Sequence, residues 1–269
     1  MNIGSARDDA LYMDELSQKD SPVHRLDPRV KIIVSVFFIF TVLSFYRYEI
    51  SALIPFFAFP VFLLVSAELP VGYLMKKVMI ISPVVILIAI FNPIFDRETI
   101  YVLAGIEISA GWISFLSILI RFFLTVVSVL ILLASTGFYE ICIALERMRV
   151  PPIFVMQLLF LYRYSFVLLD EGSRMVRAHA LRSFSDKHMG IKTFGSMLGN
   201  LLLRTVDRAE RINCAMLARG FEGSVTMHRR LKFRASDVLF VAFWPVLFIL
   251  MRKYNFSGLI GNLLLVIIK

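Results

Sequence analysis

The residues in this chain whose type and placement could do chemistry are arginines, and the chemistry is docking, not bond-making. Two stretches carry them: "RAHALRSF", residues 177–184, and "AMLARGFEG", residues 215–223. Each sets small residues before an arginine and a phenylalanine after it, at the end of a helical pattern. A guanidinium presents its donors in a rigid fork that bonds carboxylates or carbonyls in fixed geometry. Flanking alanines let another backbone come close. Read singly, each stretch is also a plain helix end. Gly220 suits the position just past a helix, and a cation in the last turn suits the helix dipole. The recurrence of the pattern at two neighbouring helix ends favours docking.

No catalytic set accompanies these arginines. There is no GxxxxGK[ST] to cradle ATP phosphates, and no HExxH or GxSxG. The four histidines, His24, His179, His188 and His228, include no pair three or four residues apart, so they make poor metal ligands. Cys142 and Cys214 form neither a disulfide framework nor a CxxC site, and both are expected to be buried small residues on helices. The acids are dispersed. No catalytic or metal-ligating residue is therefore assigned, and no cofactor is expected in the chain itself.

The elements that must position the arginines are read from composition. Of 269 residues, 58% are hydrophobic, and the formal charge is +9. The apolar excess is gathered into runs near the ~20 residues that span a bilayer. These are Val30 to Tyr46, Ile50 to Ala67, Val78 to Phe95 and Trp112 to Thr136. Arg25, Arg29 and Lys31 flank the first, and Lys76 and Lys77 precede the third, which places those ends in the cytoplasm. The link "DRETIYVLAGIEISAG" then falls outside, and its alternation around Ala104–Gly105 suggests a small hairpin. Pro55, Pro60, Pro83, Pro93 and Pro245 lie within apolar runs, as membrane helices tolerate. Arg121 sits inside the fourth run, where a charge must snorkel, bond a carbonyl or serve a function. Asn92, beside Pro93, is read as satisfying a broken helix. The polar N-terminus lacks the charged and apolar regions of a signal peptide.

From Gly137 to Arg234 the chain is basic, with sixteen Lys and Arg against eight Asp and Glu. "FYEICIALERMRVPP" reads as an interfacial helix stopped by its prolines. Two long helices follow, and Asp207 and Arg211 are spaced to pair on the second. Ile153 to Leu169 is apolar enough for a span. Arg163 near its middle would cost about 2.5–3.5 kcal/mol there, so a membrane-surface helix is favoured. The basic residues lack the aromatic ladder of RNA-binding folds; anionic lipid headgroups are the expected contact, not nucleic acid. Apolar character resumes at Val238 to Met251, and "GLIGNLLLVIIK" ends the chain as an interfacial or spanning segment.

"SPVHRLDPRVKI" before the first run and the two arginine-bearing helix ends resemble the T component of energy-coupling-factor (ECF) transporters, in its CbiQ-type cobalt/nickel branch. The resemblance covers nearly the whole chain. It implies an all-α integral membrane protein with five to six transmembrane helices and long cytoplasmic coupling helices. The expected parts are a cytoplasmic segment 1–29, a four-helix membrane part 30–136, a coupling region 137–234 and a membrane segment 235–269. It implies a scaffold without ATPase activity, which joins two ABC-type ATPases to a CbiM-type membrane substrate-binding subunit for cobalt or nickel uptake. ATP would be bound by the ATPases and the metal by the substrate subunit. The coupling residues would be Ala180, Arg182 and Ser183 on one helix and Ala218, Arg219 and Gly220 on the other. Ala218-Arg219-Gly220 matches the family's pattern. Ala180-Leu181-Arg182-Ser183 departs from it, which leaves Arg177 as a rival to Arg182. A self-contained carrier or channel would need a polar path through the spans, and a membrane enzyme would need clustered acids or histidines.

Overall fold

The computed structural model describes residues 3–46, 48–95, 99–103, 106–182, 190–221 and 234–253. Helix α1 covers Ile3–Ser17 and α2 Pro28–Leu43; a 3-10 helix, Ser51–Phe57, leads into α3, Ala58–Ser66. Helices α4, Val71–Ala89, and α5, Phe91–Phe95, precede strands β1, Thr99–Leu103, and β2, Ile106–Ser109. Then come α6, Ala110–Thr136, α7, Phe138–Arg147, α8, Pro152–Arg182, α9, Ile191–Leu217, and α10, Ala235–Lys253. The chain is an all-α membrane protein carrying one small hairpin. β1 and β2 pair antiparallel with Leu103 opposite Ile106. Residues 104–105, where the hairpin was expected to turn, lie outside the described residues, as does "GLIGNLLLVIIK".

Among the described residues, four stretches are long and apolar enough to cross a membrane: Val71–Pro93, Gly111–Thr136, Pro152–Arg182 and Ala235–Lys253. Two shorter apolar stretches join them. The 16 residues of α2 reach about 24 Å at the α-helical rise. Ser51–Ser66 reaches about 28 Å, because its first turns take the longer 3-10 rise. Pro55 lies in that 3-10 turn and Pro83 and Pro245 lie inside α4 and α10. The third apolar element opens earlier than its hydropathy suggested. Pro70 precedes the first helical residue, so α4 starts at Val71 and takes in Lys76 and Lys77. The Lys77 ammonium lies 5.3 Å from the Tyr73 ring centroid, and Lys76 is exposed.

The described chain divides into two compact units, one of Met1–Glu15 with Phe138–Arg230 and one of Leu16–Gly137 with Leu231–Lys269. The second unit is built on an aromatic core. Phe38 of α2 stands 4.7 Å from Phe59 and 5.3 Å from Phe248 between ring centroids, and Trp244 meets Phe59 edge-on at 4.8 Å. Helix α6 buries Leu124, Val127, Ile131 and Ala134, a helical spacing that lays one face on the core. Large apolar side chains such as Phe40, Val65 and Met79 point outward and stay exposed. A buried core under an apolar exterior is what packing in lipid requires. Arg121 of α6 donates to the Tyr46 carbonyl at 2.6 Å, so the charge is met by backbone, one of the outcomes expected for it. Asn92 donates to Ala89 O at 3.3 Å, at the break between α4 and α5.

A polar cluster closes this unit. Asp27 caps α2 by accepting from the Arg29 N–H at 2.9 Å, and its carboxylate takes a two-point bond from the Arg29 guanidinium. Burial alone would raise the Asp27 carboxyl, but the Arg29 bonds outweigh it and hold it below the usual range. Asp237, fully buried, accepts from the Arg234 N–H and from the Asp27 N–H, the first bond being the return half of a capping box on α10. Lys31 is buried too and donates to Ser135 O at 2.8 Å, in the last turn of α6. His24 bonds Leu16 O through Nε2 and Ser21 Oγ through Nδ1. Burial and the nearby Lys31 charge keep its imidazole below its ordinary pKa, so it is neutral at pH 7 and both nitrogens are occupied.

In the first unit, α7 buries Cys142, Ile143 and Ala144, and α8 buries Val155. Phe138 stacks on Tyr162 at 4.4 Å, and the Tyr162 hydroxyl donates to Asp14 of α1. Helix α9 buries no side chain at all. Two expectations fail there. Cys214 is exposed, because the α9 face that carries it has no packing partner. Asp207 and Arg211 form no ion pair; α9 is tied to α8 instead, through Arg204 and Glu171 at 2.7 Å.

Candidate functional site

The two candidate ends are built differently, and α9 shows its construction fully. Its regular turns stop at Leu217. Gly220 then adopts φ +77°, the left-handed region that glycine enters without a side-chain clash. The Gly220 N–H bonds Leu217 O at 3.0 Å and the Phe221 N–H bonds Met216 O at 3.1 Å. That pair of bonds is the Schellman motif, which uses up the helix's last free carbonyls. The glycine expected to stop the helix does so. Arg219 consequently sits on the final capping residue, and Ala218 and Arg219 are both exposed. Phe221 folds back and is half-buried, while Leu217 stays exposed.

The cap makes a stability prediction. A Cβ added at Gly220 meets nothing within 4 Å, so Gly220→Ala changes only the backbone preference. That preference costs about 1–2 kcal/mol for an L-residue in this region. Thermal unfolding of the detergent-solubilised variant should show fraying confined to the α9 end, seen as faster amide exchange there. Unchanged exchange would mean that the cap does not hold the helix end.

Helix α8 starts with Pro152 in its first turn, where a missing N–H costs nothing. The preceding turn is tight: Arg149 takes φ 68°, and Val150 N bonds Leu145 O at 3.1 Å. So α7 ends in the same motif with an arginine in the glycine position. From there α8 runs 31 residues to Arg182, its last described helical residue. Ala180 and Arg182 are exposed, and Leu181 is 87% exposed; Ser183 lies outside the described residues. Arg177 is exposed as well. Five residues apart on an α-helix, Arg177 and Arg182 point about 140° apart, so one surface cannot use both equally. Arg163 is exposed on the apolar half of α8. The side chains of Arg177, Arg182 and Arg219 make no ion pair or hydrogen bond among the described residues, nor does any bond join the two helix ends.

These ends can do one kind of chemistry. Each holds out an arginine fork on a rigid helix, with its donors unspent and small residues beside it. Among the described residues no group of three or more His, Cys, Asp or Glu could hold a metal ion. Burial pushes the Cys142 thiol up to about 11, which leaves it without the thiolate a nucleophile needs. Sequence reasoning missed the Arg204–Glu171 tie and the cluster of Asp27, Lys31 and Asp237. The signal for the second was present as "LDPR" and "RASD", each an acid at a helix start.

Comparison with known proteins agrees with this architecture. Residues 19–229 match the CbiQ family, described as cobalt transport protein. The chain is 27% identical over 239 residues to the energy-coupling factor transporter transmembrane protein EcfT of Ruminiclostridium cellulolyticum, covering 82% of this chain and 88% of that one. It is 27% identical to the EcfT protein of Staphylococcus aureus, covering 89% and 95%. For the EcfT protein of Bacillus subtilis the identity is 25%, covering 85% and 92%. A match across most of the chain, on a helical membrane fold with two long arginine-ended helices, places this protein in the CbiQ family of cobalt transport proteins.

Proposed function

We propose that this chain is the transmembrane coupling subunit of an ECF-type ABC importer for cobalt or nickel. The observation that carries the proposal is the end of α9, a Schellman-capped helix stop that holds out an exposed, unpartnered Arg219. The membership of the CbiQ family and the likeness to EcfT proteins support it. In this reading the ends of α8 and α9 face the cytoplasm and each enters a groove on one ABC-type ATPase. Arg219, with Ala218 and Gly220, makes one contact; Arg182, with Ala180 and Ser183, makes the other. ATP is bound and hydrolysed by the ATPases. Their closure moves the helix ends, and the long helices carry that motion to the spans, which hold a CbiM-type subunit that binds the metal.

The test is reconstitution in liposomes. The chain alone should move no cobalt or nickel, and uptake should appear only when both ATPases, the substrate-binding subunit and ATP are present. Uptake by the chain alone would make it a self-contained carrier and overturn the proposal.

A further inference from the structure

Beyond the helix ends, α8 and α9 enclose a cleft of about 330 Å³, within the size range of small-ligand sites. Its floor is apolar: Phe160, Tyr164 and Val167 from α8, Ile212 and Met216 from α9. It runs into an adjoining hollow of about 500 Å³ edged by Arg204, Arg208 and Arg211. These arginines are four and three residues apart, so they form one stripe covering about 10 Å of the helix. The only acid lining the hollow among the described residues, Glu171, is already bonded to Arg204 and Arg174. The guanidinium groups of Arg208 and Arg211 have no ion pair or hydrogen bond among the described residues.

We infer that this cleft binds one anionic phospholipid, with an acyl chain on the apolar floor and the phosphate against Arg208 and Arg211. The order of the lining is that of an amphiphile, a chain-sized apolar trough opening directly onto a cationic edge. The apolar face of α9 continues past the cleft through exposed Phe194, Leu198 and Leu202, which gives a second acyl chain a surface to lie on. The inference goes beyond the coupling role and requires only that the chain lives in a membrane.

Native mass spectrometry of the purified full-length chain, alone and with its ATPases and substrate-binding subunit, tests it. The probes are phosphatidylglycerol, phosphatidylcholine and inorganic phosphate. One phosphatidylglycerol should be retained in preference to phosphatidylcholine. Arg208→Gln with Arg211→Gln should weaken its retention about thirtyfold, at about fivefold for each cation removed. This variant keeps the Arg204–Glu171 tie between the helices. Ala209→Trp, which fills the cleft and leaves every charge in place, should also expel the lipid. Equal retention of the two lipids, or wild-type retention by either variant, overturns the inference. So does inorganic phosphate binding as tightly as the lipid, since the apolar floor would then contribute nothing. If the arginine variant keeps its lipid and loses the substrate-binding subunit, the cleft is a protein seat and the inference falls.

Discussion

Arg219→Glu is expected to abolish ATP-driven metal uptake and to release an ATPase on purification, while Arg219→Lys weakens both by about tenfold. The argument starts from the helix cap. Gly220 and Phe221 already satisfy the last carbonyls of α9, so Arg219 is not needed to finish the helix. If it acted only on the helix dipole, its effect would be about 0.3–1 kcal/mol, and lysine would serve as well. A fork seated in a groove behaves differently. Truncating one side of a buried, hydrogen-bonded charge pair costs about 2–5 kcal/mol, or at least about thirtyfold in affinity. Reversing the charge costs more, because it faces carboxylates or carbonyls with an acid. Lysine keeps the charge and loses the two-point geometry, hence its intermediate loss. ATPase co-purification and uptake in proteoliposomes should be measured for both variants, with Arg182→Glu and Arg177→Glu beside them. The second pair identifies the α8 cation, since those residues point about 140° apart. Lysine at 219 matching wild type would reduce Arg219 to a helix-end charge. Wild-type uptake in Arg182→Glu combined with Arg219→Glu would remove the coupling role altogether.

What could be read from the sequence was what depends on neighbours along the chain. Helix α6 was legible because its buried face recurs every three or four residues, from Leu124 to Ala134. The end of α9 was legible because a glycine is the residue that enters the left-handed region freely, and Gly220 does. The short hairpin was legible because alternation over so few residues has few other solutions. What depends on distant partners was not. Asp27 and Asp237 are 210 residues apart, and Lys31 and Ser135 are 104 apart. Asp207 and Arg211 illustrate the converse. A local pair on an exposed helix is worth only about 0.3–0.5 kcal/mol, too little to be held, and Arg204 finds Glu171 on another helix instead. Cys214 was misread for the same reason. An amphipathic pattern says which face could be buried, and not whether anything covers it.

The buried cluster at the base of the second unit carries the other large expected effect. Lys31→Met should lower the unfolding free energy by about 1–3 kcal/mol, the usual cost of leaving a buried acceptor without its donor. Lys31 and Asp237 are both buried, and Asp237 accepts from the Asp27 N–H, whose carboxylate holds Arg29. Removing the Lys31 amine leaves Ser135 O without its donor, away from water. Asp237→Leu should cost a similar amount for a different reason, since the Asp27 and Arg234 N–H groups both lose their acceptor. Lys31 and Asp237 also attract each other, and each single variant forfeits that attraction, so the double variant should lose less than the two single losses added together. It should not return to wild type, because the orphaned backbone donors and carbonyl remain, at about 1–3 kcal/mol for each. Unfolding in mixed detergent, followed by circular dichroism, gives all four corners of the cycle. Additive losses would show that Lys31 and Asp237 act as separate caps on α6 and α10. A coupled result makes them one fastening, which ties the start of α2 and the start of α10 to the end of α6.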